Sequence, residues 1–389
     1  MESSRSIGVK VFAEYYHAAA EAHQEGKPIA YITAFTPVEI LRAMGLVCLY
    51  PESYAVVCAA SGRSTEMIQA SGMEAFAQDL CSYSLLSFGA ERCDRPPFHG
   101  LPPPDLLIAT NNQCGTTMLW FRLWAQKKNI PLFIIDYPGA AHDQPALTRY
   151  IRRQYEALIE FIQAHTGNPL NPAILGEQVE RSKQTCMLWQ SVHEVNQARP
   201  VRVEVQRLID ALFPIVVARG TRQAYEYYEA LLRECSQPVG QDKNHTIRLL
   251  WHGYPMWFLP KKFPRCGDTQ CQIVLNDYTL WWSLRYPDTA DDMEALAVAY
   301  SDTYLNRTVP RRVEEVAGLV AAYSIEGVIC HANRSCRRAL ADISPLRQRL
   351  HQSSIPSVVI EADMANPQFH SAEQIQLRME SLCDALRVL

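Results

Sequence analysis

Cys114 and Cys336 occupy matching places in two separate stretches, LIATNNQCGTTM (107–118) and VICHANRSCRRA (328–339). Each runs from apolar residues through a polar corner into Asn-x-x-Cys, and then into a helical pattern. A cysteine in the first turn of a helix meets unpaired backbone N–H groups and the positive end of the helix dipole, which favour thiolate. Thiolates are the ligands that soft metals and iron–sulfur clusters require. Cys81, in QDLCSYSLLSFGAE, opens a third helical run, with Ser82 and Ser84 able to satisfy nearby backbone groups. Three such thiolates suffice for a [4Fe-4S] cluster with one iron left open as a Lewis acid. On spacing alone, three buried cysteines near turns are an equally good reading.

The elements that must position these residues follow from hydrophobic patterning. KPIAYITAF, LVCLYP, DLLIAT (105–110) and PLFIIDYP (131–138) read as strands, separated by the helical stretches PVEILRAMG, SGRSTEMIQASGMEAFAQ and TTMLWFRLWAQKKN. TIRLLWHG, CQIVLNDY, GVICHA and PSVVIEAD repeat the pattern later in the chain. The two halves match in detail. Asn111 and Asn333 precede the cysteines, Ile130-Pro131 and Ile355-Pro356 follow the helices, and Asp136 and Asp363 close the next strands. The expected fold is α/β, with two related, doubly wound parallel-sheet lobes. The boundaries read as an N-terminal helix (1–27), a first lobe (28–144), a helical connector (145–240) and a second lobe (241–389). Ligands of open parallel sheets bind beyond the carboxyl ends of the strands, where Cys114 and Cys336 would face each other across the interlobe cleft.

Composition narrows the function classes. The 389 residues are 48 % hydrophobic and 20 % charged, with a formal net charge of -4, which argues against nucleic-acid binding through phosphate neutralisation. No apolar run approaches the roughly 18 residues of a membrane span, and the amphipathic N-terminus is no signal peptide, so the cytoplasm is the default location. None of the 12 cysteines is spaced C-x-x-C, which disfavours zinc ribbons and thioredoxin-type pairs. Cys48, Cys58, Cys186, Cys235 and Cys383 read as small core hydrophobes, as does Cys330. Cys266 and Cys271 make a poor second metal pair. A plain nucleotide-binding enzyme would want G-x-G-x-x-G or a P-loop, and neither occurs.

Several stretches, in this order, resemble the 2-hydroxyacyl-CoA dehydratase and benzoyl-CoA reductase family over nearly the whole chain. They are FTPVEILRAMGLVCLYPESYA (35–55), DLCSYS (79–84), PPPDLLIATNNQCGTTMLWF (102–121), ARGTRQAYEYYEALL (218–232), HANRSC (331–336) and VVIEADMANPQFHS (358–371). The resemblance implies one of two homologous subunits of an oxygen-sensitive heterodimer. Each would hold a [4Fe-4S] cluster, here on Cys81, Cys114 and Cys336, fed by an ATP-hydrolysing iron–sulfur activator protein. It implies radical chemistry on an acyl-CoA substrate. In the dehydratase branch, an electron added to the thioester gives a ketyl radical that expels the C2 hydroxyl group. Loss of a C3 proton then leads to the enoyl-CoA. In the benzoyl-CoA reductase branch, the electrons stay on the aromatic ring. HANRSC and LYPESYA lie closer to the dehydratases. A departure stands at Ala34, where several catalytic subunits place a serine, which leaves a partner-subunit role or a different substrate open.

For proton handling the resemblance favours Glu52 of YPESYA, against the bland reading of a solvated loop carboxylate. His331 adjoins a ligand segment and reads either as a donor to substrate or as a satisfied structural histidine. CoA phosphates would want basic groups: Arg149, Arg152 and Arg153, or Lys261, Lys262 and Arg265, or Arg337 and Arg338, although charge runs are usually solvated faces. The aromatics of WHGYPMWF and DYTLWW read as core first and pocket wall second.

Overall fold

The computed structural model describes residues 2–72, 76–139, 144–237, 246–259 and 271–388. The apolar runs become strands because runs such as IAYI and LLIAT are buried along their whole length, as strands covered on both faces must be. In the first lobe β1 (Ile29–Ile32), β2 (Val47–Leu49), β3 (Leu106–Thr110) and β4 (Leu132–Ile135) pair in parallel in the order β2-β1-β3-β4. In the second, β5 (Ile247–His252), β6 (Cys271–Asn276), β7 (Gly327–Asn333) and β8 (Ser357–Ala362) repeat it as β6-β5-β7-β8. The chain is thus α/β with two parallel-sheet lobes, as the internal repeat implies.

The repeated corner is a repeated lock. Asn111 Oδ1 accepts the Tyr137 N–H at 2.8 Å, and Asn333 Oδ1 accepts the Met364 N–H at 3.2 Å. Each asparagine clips the end of its own strand to the chain leaving the neighbouring strand. This fixes where the following cysteine emerges. In both sheets the strand order reverses beside the first strand, so the crevices lie at the carboxyl ends of β1 with β3 and of β5 with β7.

Helices between the sheets bind the lobes together. Gln144–Thr166, Pro172–Glu194 and Arg222–Cys235 carry the connector, and Ser4–Gln24 lies along Arg222–Cys235. A large apolar cluster runs through both lobes and the connector. A smaller one covers the far face of the second sheet, where Leu250 and Val328 meet Val316 and Leu346. At the junction Glu39 is completely buried and accepts hydrogen bonds from Ser182 (2.6 Å), Tyr286 (3.0 Å) and Tyr300 (2.7 Å). Arg219, equally buried, sits 3.6 Å from the same carboxylate and donates to Tyr300 at 2.7 Å. No helix among the described residues is long and apolar enough to cross a membrane. Cys48, Cys58, Cys186, Cys235, Cys330 and Cys383 are all buried, as expected of small hydrophobes.

Candidate functional site

All three singled-out cysteines immediately precede helices. Cys81 caps Ser82–Ala90, Cys114 caps Gly115–Lys128 after β3, and Cys336 caps the single turn Arg337–Leu340 after β7. The Cys114 sulfur receives the Thr117 N–H at 3.4 Å and lies 3.1 Å from the Thr117 hydroxyl. The loops of Cys81 and Cys336 come from opposite lobes and touch: Ser335 Oγ lies 3.3 Å from both the Ser82 N–H nitrogen and the Ser82 hydroxyl. Asp363 accepts the Ser335 N–H at 3.2 Å and steadies the second loop. The three thiols are close enough to perturb one another electrostatically.

The lowered thiol pKa expected from helix N-termini does not hold for two of them. Burial pushes Cys336 up to about 11 and Cys81 well above the usual thiol range, and repulsion from the neighbouring thiols adds to it. The nearby N–H groups of Ala339 and Arg338 only partly offset this at Cys336. Desolvation outweighs the helix end because these half-buried sulfurs lie where the loops of the two lobes meet. Among the described residues, no three His, Cys, Asp or Glu side chains converge tightly enough for one metal ion. A mononuclear site with metal–sulfur bonds of about 2.3 Å needs a tighter grouping than the corners of a multinuclear cluster do. The three thiols are soft groups gathered within electrostatic reach of one another where the two lobes meet.

Beside the thiols a cleft of about 320 Å³ opens between the lobes. Ala34, Phe35, Tyr50, Glu52 and Gln113 line it from the first lobe. Tyr254, Trp257, Tyr278, Trp281 and Trp282 line it from the second, and Ile209, Leu212, Phe213 and Val216 from the connector. Tyr83 and Tyr254 join cleft and cysteines: both line the cleft near Glu52, Tyr83 within reach of Cys81 and Tyr254 of Cys336. The aromatics of the two tryptophan-rich segments thus divide. Trp251 is core, whereas Tyr254, Trp257, Tyr278, Trp281 and Trp282 are nearly buried yet face the cleft.

Glu52 is not in a loop. Pro51 starts the helix Pro51–Ala60 directly after β2, which puts Glu52 in its first turn, half-buried against the cleft. Its Oε2 accepts the Ala34 N–H at 2.8 Å. Burial pushes the carboxyl up to about 7, against the pull of that N–H and of the Gln113 side chain. Gln113 lies outside the sequence reading, although it stands beside Cys114 in the same strand-end corner and was visible there. It is 3 % exposed, and its Oε1 has no hydrogen-bond partner.

His331 is buried, with Nδ1 2.6 Å from the Tyr254 carbonyl oxygen. A carbonyl only accepts, so Nδ1 carries the proton; burial lowers the pKa of the ring and keeps it neutral. The ring is not among the described groups facing the cleft. Arg149 and Arg153 are exposed on the connector helix, while Arg152 pairs with Asp291. Arg337 is exposed, and Arg338 is half-buried within electrostatic reach of Cys114 and Cys336. Lys261, Lys262, Arg265 and Cys266 lie outside the described residues; Cys271 is buried at the start of β6.

Comparison with known proteins adds the lineage. The family profile described as 2-hydroxyglutaryl-CoA dehydratase, D-component, matches residues 33–386. The chain is 25 % identical to the (R)-2-hydroxyisocaproyl-CoA dehydratase alpha subunit of Clostridioides difficile, over 99 % of this chain and 96 % of that one. It is 23 % identical to the lactoyl-CoA dehydratase alpha subunit of Anaerotignum propionicum, covering 99 % and 98 %. It is also 24 % identical to a subunit of the benzoyl-CoA reductase of Thauera aromatica, covering 98 % and 94 %. The cysteine corners, Glu52 and seven of the eight strands fall within the matched span, and the chain belongs to the family of the 2-hydroxyglutaryl-CoA dehydratase D-component.

Proposed function

We propose that this chain is the [4Fe-4S] subunit of a 2-hydroxyacyl-CoA dehydratase, a lyase that removes water from a 2-hydroxyacyl-CoA to give the enoyl-CoA through a ketyl radical. The observation that carries this reading is the meeting of Cys81, Cys114 and Cys336, from both lobes, beside a cleft containing a carboxyl with its pKa near 7. Three soft donors within electrostatic reach of one another fit three corners of a cubane cluster. When bound, such a cluster supplies single electrons and an open iron acting as a Lewis acid.

The chain's own residues do the rest. The aromatic and aliphatic walls exclude water, which would quench a substrate radical and screen the charges around it. In the radical left after C2 loses hydroxide, the C3 hydrogen becomes acidic, and Glu52 takes that proton. A carboxyl near pKa 7 is matched to this step, being substantially ionised at neutral pH yet a stronger base than an ordinary carboxylate. The electron returns to the enzyme, so water elimination is redox-neutral. Gln113 and the Ala34 N–H hold Glu52 in place. His331 acts at one remove, holding the Tyr254 carbonyl and hence the ring that lines the cleft. The relatives named as alpha subunits support a second subunit, which this reading takes to be homologous, with an ATP-dependent activator protein as its electron donor.

The test is turnover by the assembled enzyme, with activator and a 2-hydroxyacyl-CoA, for wild type and Glu52→Gln. The variant is expected to lose at least about a hundredfold in kcat while keeping its iron. Full activity would remove Glu52 from proton handling. The match to a benzoyl-CoA reductase supports a second reading, aromatic ring reduction. Net consumption of electrons per product would favour it over the dehydratase.

A further inference from the structure

The cleft is notable for what faces it. Among the described residues no Lys, Arg or His lines it, and its two acidic groups are Glu52 at one end and Asp210, which is exposed, at the connector rim. Between them the walls are Phe35, Val56, Val57, Leu212, Trp281 and Trp282, with further aliphatic groups. These described walls penalise a ligand carboxylate twice, by desolvation with no counter-charge among the described residues and by repulsion from Glu52 whenever that group is ionised. They reward apolar surface. Two buried wall atoms without a partner among the described residues are neutral: Gln113 Oε1, which can accept from a hydroxyl group, and the Trp281 indole N–H, which can donate to a hydroxyl or carbonyl oxygen.

Building on the acyl-thioester reading above, we propose that the interlobe cleft selects an uncharged, apolar 2-hydroxyacyl group, branched aliphatic or aromatic, and rejects dicarboxylic acyl groups such as the glutaryl chain of the family's namesake. The volume of about 320 Å³ is ample for a short branched chain or a phenyl ring.

The direct test measures binding rather than turnover. Full-length protein purified without oxygen is titrated with unreactive saturated probes, isocaproyl-CoA and glutaryl-CoA, alongside CoA itself. Isocaproyl-CoA is expected to bind at least about tenfold more tightly than glutaryl-CoA. If both thioesters bind equally and more tightly than CoA, the selectivity is overturned while the acyl-thioester reading stands. If neither exceeds CoA, both are overturned. The variant Val57→Lys, which places a cation on the half-buried wall, is expected to move the preference at least about threefold toward glutaryl-CoA. An unchanged ratio in a folded Val57→Lys protein would put the acyl group outside this cleft and overturn the proposal.

Discussion

Glu52 shows how one side chain couples the stability of the fold to its chemistry. Burial raises its pKa from 4.5 to about 7, so the folded state prefers the neutral acid. Below pH 4.5 the carboxyl is protonated whether the chain is folded or not. Between 4.5 and 7 the unfolded chain releases a proton that the folded chain keeps, so stability falls as pH rises through this window and then levels off. The cost at higher pH is about 3 kcal/mol. Glu52→Gln keeps an acceptor for the Ala34 N–H and removes the charge. In urea titrations it is expected to be near wild type at pH 4.5 and more stable by about 2 kcal/mol at pH 8. A variant less stable at pH 8 would mean that the carboxylate is held by partners stronger than Ala34 and Gln113. The same titration should govern activity: a base with this pKa gives kcat/KM a rising limb near pH 7, which Glu52→Gln abolishes.

At the scale of elements, the two lobes use one device to different ends. After β2, Glu52 accepts the Ala34 N–H at 2.8 Å; after β6, Asp277 accepts the Gly253 N–H at 2.8 Å. Each carboxylate thus ties the end of the sheet's first strand to the chain leaving the second. Asp277 differs in having His252 at 2.7 Å, both groups buried. Burial works against protonation of that imidazole, but the Asp277 charge and hydrogen bond prevail and raise its pKa. The second-lobe carboxylate is therefore paired and structural, and the first-lobe one has no cation beside it among the described residues. Asp277→Asn is expected to cost about 2 kcal/mol of unfolding free energy at pH 6, where the protonated pair contributes, and less at pH 9. Equal losses at both pH values would show that the pair is never ionic. The repeat itself was legible in the sequence, because Asn-x-x-Cys and Ile-Pro recur at equivalent places after apolar runs. The His252–Asp277 pair was not: its partners are 25 residues apart, and only the register of β5 on β6 joins them. The helix Pro51–Ala60 was also missed, because YPESYA is too short to show a helical period before it merges with the residues that follow.

At the scale of the whole molecule, the lobes are not independent. The large apolar cluster crosses from one sheet to the other, and Phe35 of the first lobe stacks on Trp282 of the second with ring centroids 5.1 Å apart. The Glu39–Arg219 pair, fully buried with its tyrosine and serine partners, pins the first lobe to the connector and to the helix that carries Tyr300. Removing one member of such a pair strands the other charge in the interior. Glu39→Ala is expected to cost about 3–5 kcal/mol, read from chemical denaturation. A cost below about 1 kcal/mol would show that the lobes hold together without it. The fold class was readable because strand–helix alternation is local, and so was the placement of Cys81, Cys114 and Cys336 at the starts of helices. The cleft walls were not, because they assemble from three distant parts of the chain, and the tryptophans that face the cleft have the same local pattern as those in the core. The proposed cluster site depends on that assembly, since Cys81 and Cys114 come from one lobe and Cys336 from the other. The most direct measurement is iron and acid-labile sulfide in full-length protein purified without oxygen, for wild type and for Cys336→Ala. About four irons and four sulfides per chain, with the visible absorption lost or made labile in the variant, are expected. An iron-free, colourless wild type, stable in air, would contradict the account.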